Sequence, residues 1–289
     1  MPGVAFQIEN PKCKIENCIL PAACYIPAMP KSHRPRKQPP AEPKAGRAGR
    51  LLRDPEVTRP LASLIFLLPF LAFYAIGVFF VRPDFAARAD ILIRQVIAPL
   101  GVTGVMVPTY LVVAVLLVWH VLRGDPTRCS WPLVGLMGAE TALLTVPLFG
   151  IYAGCRLVLQ GFLSLELAAA GAQAGWLGAA MTSIGAGIYE ELLFRLFLVG
   201  GPLVVARHLF GDRSPGLVAA VVLVSAGLFA GAHTIDNPQW FAWDSFLFRS
   251  AAGVYLGYIF AYRGFGIAVG VHILFDLFVK LTAVSQYAA

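Results

Sequence analysis

Residues 61–81 read Leu-Ala-Ser-Leu-Ile-Phe-Leu-Leu-Pro-Phe-Leu-Ala-Phe-Tyr-Ala-Ile-Gly-Val-Phe-Phe-Val, a stretch without a single charge. About 20 apolar residues are what one helix needs to cross the hydrocarbon of a bilayer. A strand of a membrane barrel would alternate apolar and polar residues, and this run does not, so it is predicted to be a spanning α-helix. Runs of the same kind recur at Ala98–Leu122, Leu133–Ala153, about Ala174 to Val199, Pro215–His233, Phe246–Tyr262 and Phe265–Val284. The fourth is expected to stop at Gly200-Gly201-Pro202, a strong helix breaker. Residues 157–173 are ambiguous and would add an eighth span.

Composition points the same way. The 289 residues are 58% hydrophobic and only 13% charged, with a mean hydropathy of +0.71. A soluble domain carries about a quarter of its residues as charges, so there is too little polar material here to clothe one. The fold class predicted is an all-α, polytopic transmembrane helical bundle of about 7–8 spans.

The net charge of +7 is concentrated at one end: residues 1–60 hold 11 of the 23 Lys and Arg, 5 of the 16 Asp and Glu, and 11 of the 21 prolines. Such a stretch buries too little apolar surface to offset its chain entropy, and is expected to be a disordered, basic, Pro-rich tail. Met29 is an alternative start. A basic segment beside a first span marks the cytoplasmic side, which predicts a multi-pass protein of the cell membrane with its N-terminus in the cytoplasm. The loops holding Arg123 and Arg128, Arg207 and Arg213, and Arg263 then also face the cytoplasm; the mixed-charge segment 82–97 fits that orientation less well. Contact with the lipid bilayer explains the basic charge more simply than a nucleic-acid partner, and none is expected. Cys13, Cys18, Cys24, Cys129 and Cys155 show neither zinc-knuckle nor disulfide-framework spacing. The organisation expected is the tail (1–60), a set of N-terminal transmembrane helices (61–173), and a C-terminal transmembrane catalytic core (174–289).

The informative residues are ionisable ones inside apolar helices, because each costs a few kcal/mol unless paired or functional. The fourth run contains Ser183-Ile-Gly-Ala-Gly-Ile-Tyr-Glu190-Glu191-Leu-Leu-Phe-Arg195. Glu191 and Arg195 are four apart and share a face, with Glu on the N-terminal side, the better order for an ion pair. Adjacent carboxylates repel in a low dielectric, so the Glu190–Glu191 pair suits proton transfer near neutrality. The fifth run ends Phe229-Ala-Gly-Ala-His233, which puts ring and imidazole on one face. The seventh contains His272-Ile-Leu-Phe-Asp276, where the carboxylate can orient the imidazole or face the same cavity. Taken singly, Glu191–Arg195 is equally a structural ion pair, either His a satisfied core residue, and Glu140 an isolated packing or pore-facing residue. Chance explains the whole set poorly.

Glu190-Glu191-x-x-x-Arg195, Phe229-x-x-x-His233 and His272-x-x-x-Asp276, in that order on three membrane helices, resemble the three motifs of the CPBP family. These are the CAAX prenyl endopeptidases and the bacteriocin-processing or immunity-type membrane proteases. The resemblance covers roughly residues 175–284. The family usually has Asn or Asp at the last motif position, and its CAAX endopeptidases carry Asn, so Asp276 of this chain is permitted. The resemblance implies an intramembrane endopeptidase of glutamic type acting on a membrane-associated protein or peptide, by CAAX-type processing or removal of a leader or sorting tail. Glu190 would be the general base and His233 would position the water. His272, assisted by Asp276, would donate to the oxyanion, and Arg195, paired with Glu191, would hold the motif helix in shape. The runner-up is a zinc enzyme with Glu190, His233 and His272 as ligands, a His₂Glu set. Because the chain lacks H-E-x-x-H, no cofactor is expected ahead of Zn²⁺. The non-catalytic alternative is a membrane scaffold, immunity factor or transporter using the same polar cluster; no inverted repeat supports the transporter. Substrate identity and oligomeric state are left open.

Overall fold

The computed structural model describes residues 58–81, 88–101, 104, 106–127, 129–158, 175–211, 214–234 and 243–287. The expected disordered tail falls almost wholly outside these residues, as does most of the ambiguous eighth span. Among the described residues all regular structure is helical. In chain order the elements are α1 (Pro60–Ile76, continued by a π turn over Gly77–Val81), α2 (Arg88–Ile97) and α3 (Val107–Arg123). Next come α4 (Trp131–Val158) and α5 (Gly175–Glu191), which leads through a π-helix (Leu192–Gly200) into α6 (Gly201–Phe210). α7 (Pro215–Thr234), α8 (Trp243–Arg263) and α9 (Phe265–Tyr287) complete the chain.

Five stretches are long and apolar enough to cross a membrane: Pro60–Phe80, Trp131–Val158, Gly175–Phe210, Pro215–His233 and Phe265–Ser285. Helix α3 is a shorter apolar one, and α8 carries Asp244, Arg249 and Arg263. Each of the seven expected runs therefore lies on a helix, with two differences. The second does not begin at Ala98. Gly101 and Gly104 adopt positive φ (76° and 138°), which ends the preceding turn, and the helix restarts at Val107 with Pro108 in its first turn, where the missing N–H costs nothing.

The second difference is larger: the fourth run does not stop at Gly200-Gly201-Pro202. Gly201 keeps right-handed helical angles, and its N–H reaches the carbonyls of Leu196 and Phe197. The helix carries on to Phe210, 36 residues from Gly175. A broken helix end at membrane depth would leave backbone groups with no water to satisfy them, so continuation is favoured over a break. The π-helix just before Pro202 widens the turn that the proline ring must enter. Within it, the Phe194 carbonyl accepts a hydrogen bond from Ser225 Oγ of α7 at 2.7 Å.

Packing is set by small residues that let backbones approach. A Cβ on Gly253 would stand 3.0 Å from the Ala226 backbone, and one on Gly257 would stand 2.7 Å from the Val222 side chain, which brings α8 against α7. Gly266 faces Ser63 and Met137, and Gly270 faces Thr141, so α9 runs between α1 and α4. Ser63 Oγ accepts the Gly266 N–H at 3.0 Å. The sharp α8–α9 turn at Gly264 (φ 88°) is itself buried, together with every residue from Phe265 to Ile273. Helix α9 is thus the central column of the bundle, and its first ten residues carry His272.

Two further links fix the N-terminal helices to this core. Glu140 of α4 holds Arg263 through both carboxylate oxygens, with Arg263 Nη2 donating to Oε2 at 2.7 Å. Tyr255 of α8 donates its hydroxyl to the Leu144 carbonyl of α4 at 2.7 Å.

Candidate active site

The site is assembled by three helices at one depth. Glu190 lies about 20 residues before the α6–α7 connection and His233 about 18 after its start, roughly 30 Å and 27 Å along antiparallel neighbours at 1.5 Å per residue. Had the fourth helix ended at Val199, the two residues would have sat at different levels. Continuation to Phe210 brings them together. On α9, His272 is only two turns from the Gly264 bend, but that bend is already inside the bundle. The α5–α9 contact next to the site is backbone-close: a Cβ on Gly187 would collide with the Ile273 side chain and come within 3.1 Å of the Ile273 amide nitrogen.

All six motif residues meet here. Glu190 faces both imidazoles: Oε1 is 3.6 Å from His233 Nε2 and Oε2 is 3.8 Å from His272 Nε2. Each ring is held from behind. His233 Nδ1 bonds the Phe229 carbonyl at 2.9 Å. A carbonyl only accepts, so Nδ1 carries a proton, and Nε2 is the ring nitrogen turned toward Glu190. His272 Nδ1 lies 2.8 Å from Glu191 Oε1, while Asp276 Oδ1 stands 3.9 Å from His272 Nε2. The carboxylate that orients His272 is thus Glu191, with Asp276 beyond hydrogen-bond reach.

Glu191 serves two partners from a fully buried position. The same Oε1 lies 3.0 Å from Arg195 Nη1, a charge contact without hydrogen-bond alignment, since both Arg195 terminal nitrogens lack a hydrogen-bond acceptor. The guanidinium is offset by the Phe229 ring face, 4.5 Å from its carbon, a cation–π contact that gains strength when desolvated. Phe229 also stands edge-on to His233 (4.8 Å between centroids) and His272 (6.2 Å). One aromatic ring therefore walls both imidazoles and Arg195. Glu190 and His233 keep partly exposed side chains, 12% and 24%, whereas Glu191 and Arg195 are sealed at 0% and 1%. The open side of the site is on the Glu190–His233 edge.

Other residues join that sequence reasoning did not single out. Lys280, one turn beyond Asp276, donates from Nζ to Asp276 Oδ2 at 3.1 Å; a lysine inside an apolar run is the signal that would have found it. Tyr189, the residue before Glu190, shares a hydrogen bond with Thr109 of α3 at 2.9 Å and meets the Tyr74 ring edge-on at 5.3 Å. Tyr74 donates to the buried Asp90 Oδ2 of α2 at 2.8 Å. Burial pushes the Asp90 carboxyl above its ordinary range, against the opposing pull of the Tyr74 hydroxyl and of Arg94. These contacts pin the Glu190 turn to the N-terminal helices, and pairings across 16 and 80 residues leave no local mark in the sequence.

Among the described residues no group of three or more His, Cys, Asp or Glu side chains is arranged to hold an ion. The runner-up zinc set of Glu190, His233 and His272 has its facing nitrogen and oxygen atoms at 3.6 and 3.8 Å.

No curated protein and no solved structure matches the chain. The family comparison does find one: residues 172–278, which enclose all six motif residues, match the model described as type II CAAX prenyl endopeptidase, Rce1-like, consistent with a protease of the CPBP family.

Proposed function

We propose that this chain is an intramembrane endopeptidase in which Glu190 activates water against a peptide bond of a membrane-associated substrate. One observation carries the reading: a carboxylate oxygen and an imidazole nitrogen, Glu190 Oε1 and His233 Nε2, face each other at 3.6 Å on the exposed edge of a buried polar cluster. With the ring in its neutral form these are two acceptors, which repel unless a donor bridges them. A water beside them donates one hydrogen to each and keeps a lone pair free to attack.

The chemistry follows from those positions. The water oxygen adds to the scissile carbonyl carbon as its proton passes to Glu190, within reach for general-base catalysis. The carbonyl oxygen becomes an oxyanion beside His272 Nε2. Since Nδ1 is bonded to Glu191, donation from Nε2 requires the doubly protonated ring, and Glu191 is the carboxylate that balances it. A preorganised donor at that point is worth on the order of 100-fold or more in rate. Glu190 then returns its proton to the amide nitrogen, the C–N bond breaks, and a carboxylate and an amine leave. The Arg195–Phe229 stack and the Glu191–Arg195 pair keep the motif helix in register. The match to a protease family supports hydrolysis; CAAX processing is the first substrate class to test, ahead of leader or sorting-tail removal. In the same reading the N-terminus faces the cytoplasm, residues 174–289 are the catalytic core, 61–173 support it, and no metal takes part.

The test is cleavage by purified protein in proteoliposomes, using a farnesylated CAAX peptide alongside unprenylated leader-type and sorting-tail peptides. Glu190→Gln should abolish cleavage of whichever peptide is cut. Full activity in that variant overturns the glutamate-water reading. Activity lost to a chelator and restored by Zn²⁺, with stoichiometric zinc by elemental analysis, would shift the chemistry to the metal. A scaffold or transporter cuts none of the three.

A further inference from the structure

The site contains three carboxylates, Glu190, Glu191 and Asp276, around His272. Arg195 sits against Glu191 on the sealed side, leaving Asp276 to a different cation. That cation is Lys280, 3.1 Å from Asp276 Oδ2, with both side chains nearly buried at 12% and 13%. None of the three motifs includes it, yet a lysine at membrane depth is costly unless it serves a purpose.

We infer that Lys280 is a positioning residue of the active site, whose charge cancels Asp276 so that an oxyanion can form beside His272. The inference rests on the protease reading above. Asp276 places a negative charge 3.9 Å from the nitrogen that must stabilise developing negative charge. With Lys280 one turn on, the Asp276–Lys280 pair is neutral. Without Lys280 the tetrahedral intermediate meets an uncompensated anion a few ångströms away. At intermediate dielectric that is an effect on the order of 100-fold.

Five chains test this in the proteoliposome assay: wild type, Lys280→Met, Lys280→Arg, Asp276→Asn, and the double variant Asp276→Asn/Lys280→Met. Lys280→Met should lower kcat about 100-fold with KM little changed, and Lys280→Arg should retain most of the activity. The double variant should recover at least tenfold over Lys280→Met, because removing both charges restores neutrality. Melting temperatures in detergent should show the same coupling, with Lys280→Met the least stable chain. A double variant no more active than Lys280→Met, although as well folded, overturns the inference and leaves Lys280 a structural residue. Melting temperatures that simply add overturn it whatever the enzyme cuts. If instead Glu190→Gln cleaves like wild type, the base assignment fails, and the 276–280 cycle still reports on Lys280 separately.

Discussion

Glu191 Oε1 stands 2.8 Å from His272 Nδ1 across the α5–α9 interface, so the second glutamate of the Glu-Glu pair is the residue that fixes the second histidine. The division of labour follows from exposure. Glu190 retains an open edge and faces both Nε2 atoms, whereas Glu191 is sealed between Arg195 and His272.

Glu191→Gln should therefore cost kcat more than KM. The amide still accepts from Nδ1, but the negative charge that balances a doubly protonated ring is gone, as with the outer partners of catalytic histidines. A fall of about 100-fold in kcat on the cleaved reporter peptide is expected. Glu191→Ala should in addition fail to accumulate as folded protein, because Arg195 would be left buried and unpaired, at a cost of about 3–5 kcal/mol. Equal kcat in Glu191→Gln and wild type would show that His272 works without this carboxylate.

Phe229→Leu addresses the aromatic wall. The substitution keeps an apolar side chain of similar bulk but removes the face over Arg195 and the edges against both imidazoles. The cation–π part alone is worth about 1–2 kcal/mol in a desolvated site. A melting point lower by several degrees, together with reduced kcat, is expected. Phe229→Tyr should keep the stack and most of the activity.

Much of this site was legible in the sequence because ionisable residues stand out against apolar helices: Glu190, Glu191, Arg195, His233, His272 and Asp276 all emerge that way, and all six meet. What escaped were relations between helices. Glu140 reads as an isolated polar residue, but it is bound by Arg263, 123 positions away. The helical periods could show that Asp276 shares a face with His272, but could not show that Glu191, 81 residues earlier, is the nearer partner. The Gly200-Gly201-Pro202 signal misled for a physical reason. Breaker propensities describe helices whose ends meet water, and in lipid the exposed carbonyls cost more than the proline does. A helix ending at Val199 would also put His233 and Glu190 at different depths.

The Glu140–Arg263 pair gives a prediction about stability that leaves chemistry alone. Arg263→Met leaves the nearly buried Glu140 carboxylate without its cation, which destabilises by about 3–5 kcal/mol, and Glu140→Leu takes from Arg263 the carboxylate that holds it through both oxygens, which also destabilises. The double variant should recover most of that loss, since well-packed apolar residues often replace a buried pair at little cost. Detergent melting curves of the four chains check this, and kcat per folded molecule should stay within about twofold, because neither residue reaches the site. A kcat change that follows the single variants would mean the α8–α9 bend transmits strain to His272.

The last prediction concerns Gly187, one turn before Glu191. A Cβ there meets the Ile273 side chain and approaches its amide nitrogen at 3.1 Å, and Ile273 adjoins His272. Gly187→Ala must therefore push α9 away from α5 by some tenths of an ångström or more, which lengthens the Glu191–His272 bond directly. Overpacking of this kind costs about 1–3 kcal/mol, and displacement of a catalytic group by even 1 Å can cost about 100-fold in rate. Trimming the other side should restore the fit in part: Gly187→Ala/Ile273→Ala removes the Cγ1 in the way, although the amide nitrogen contact remains. The expected order of kcat is wild type, then the double variant, then Gly187→Ala, with Ile273→Ala alone losing stability more than rate through its cavity. If Gly187→Ala proved as active as wild type, the α5–α9 approach would be looser than the structure has it, and the placement of His272 by Glu191 would lose its mechanical basis.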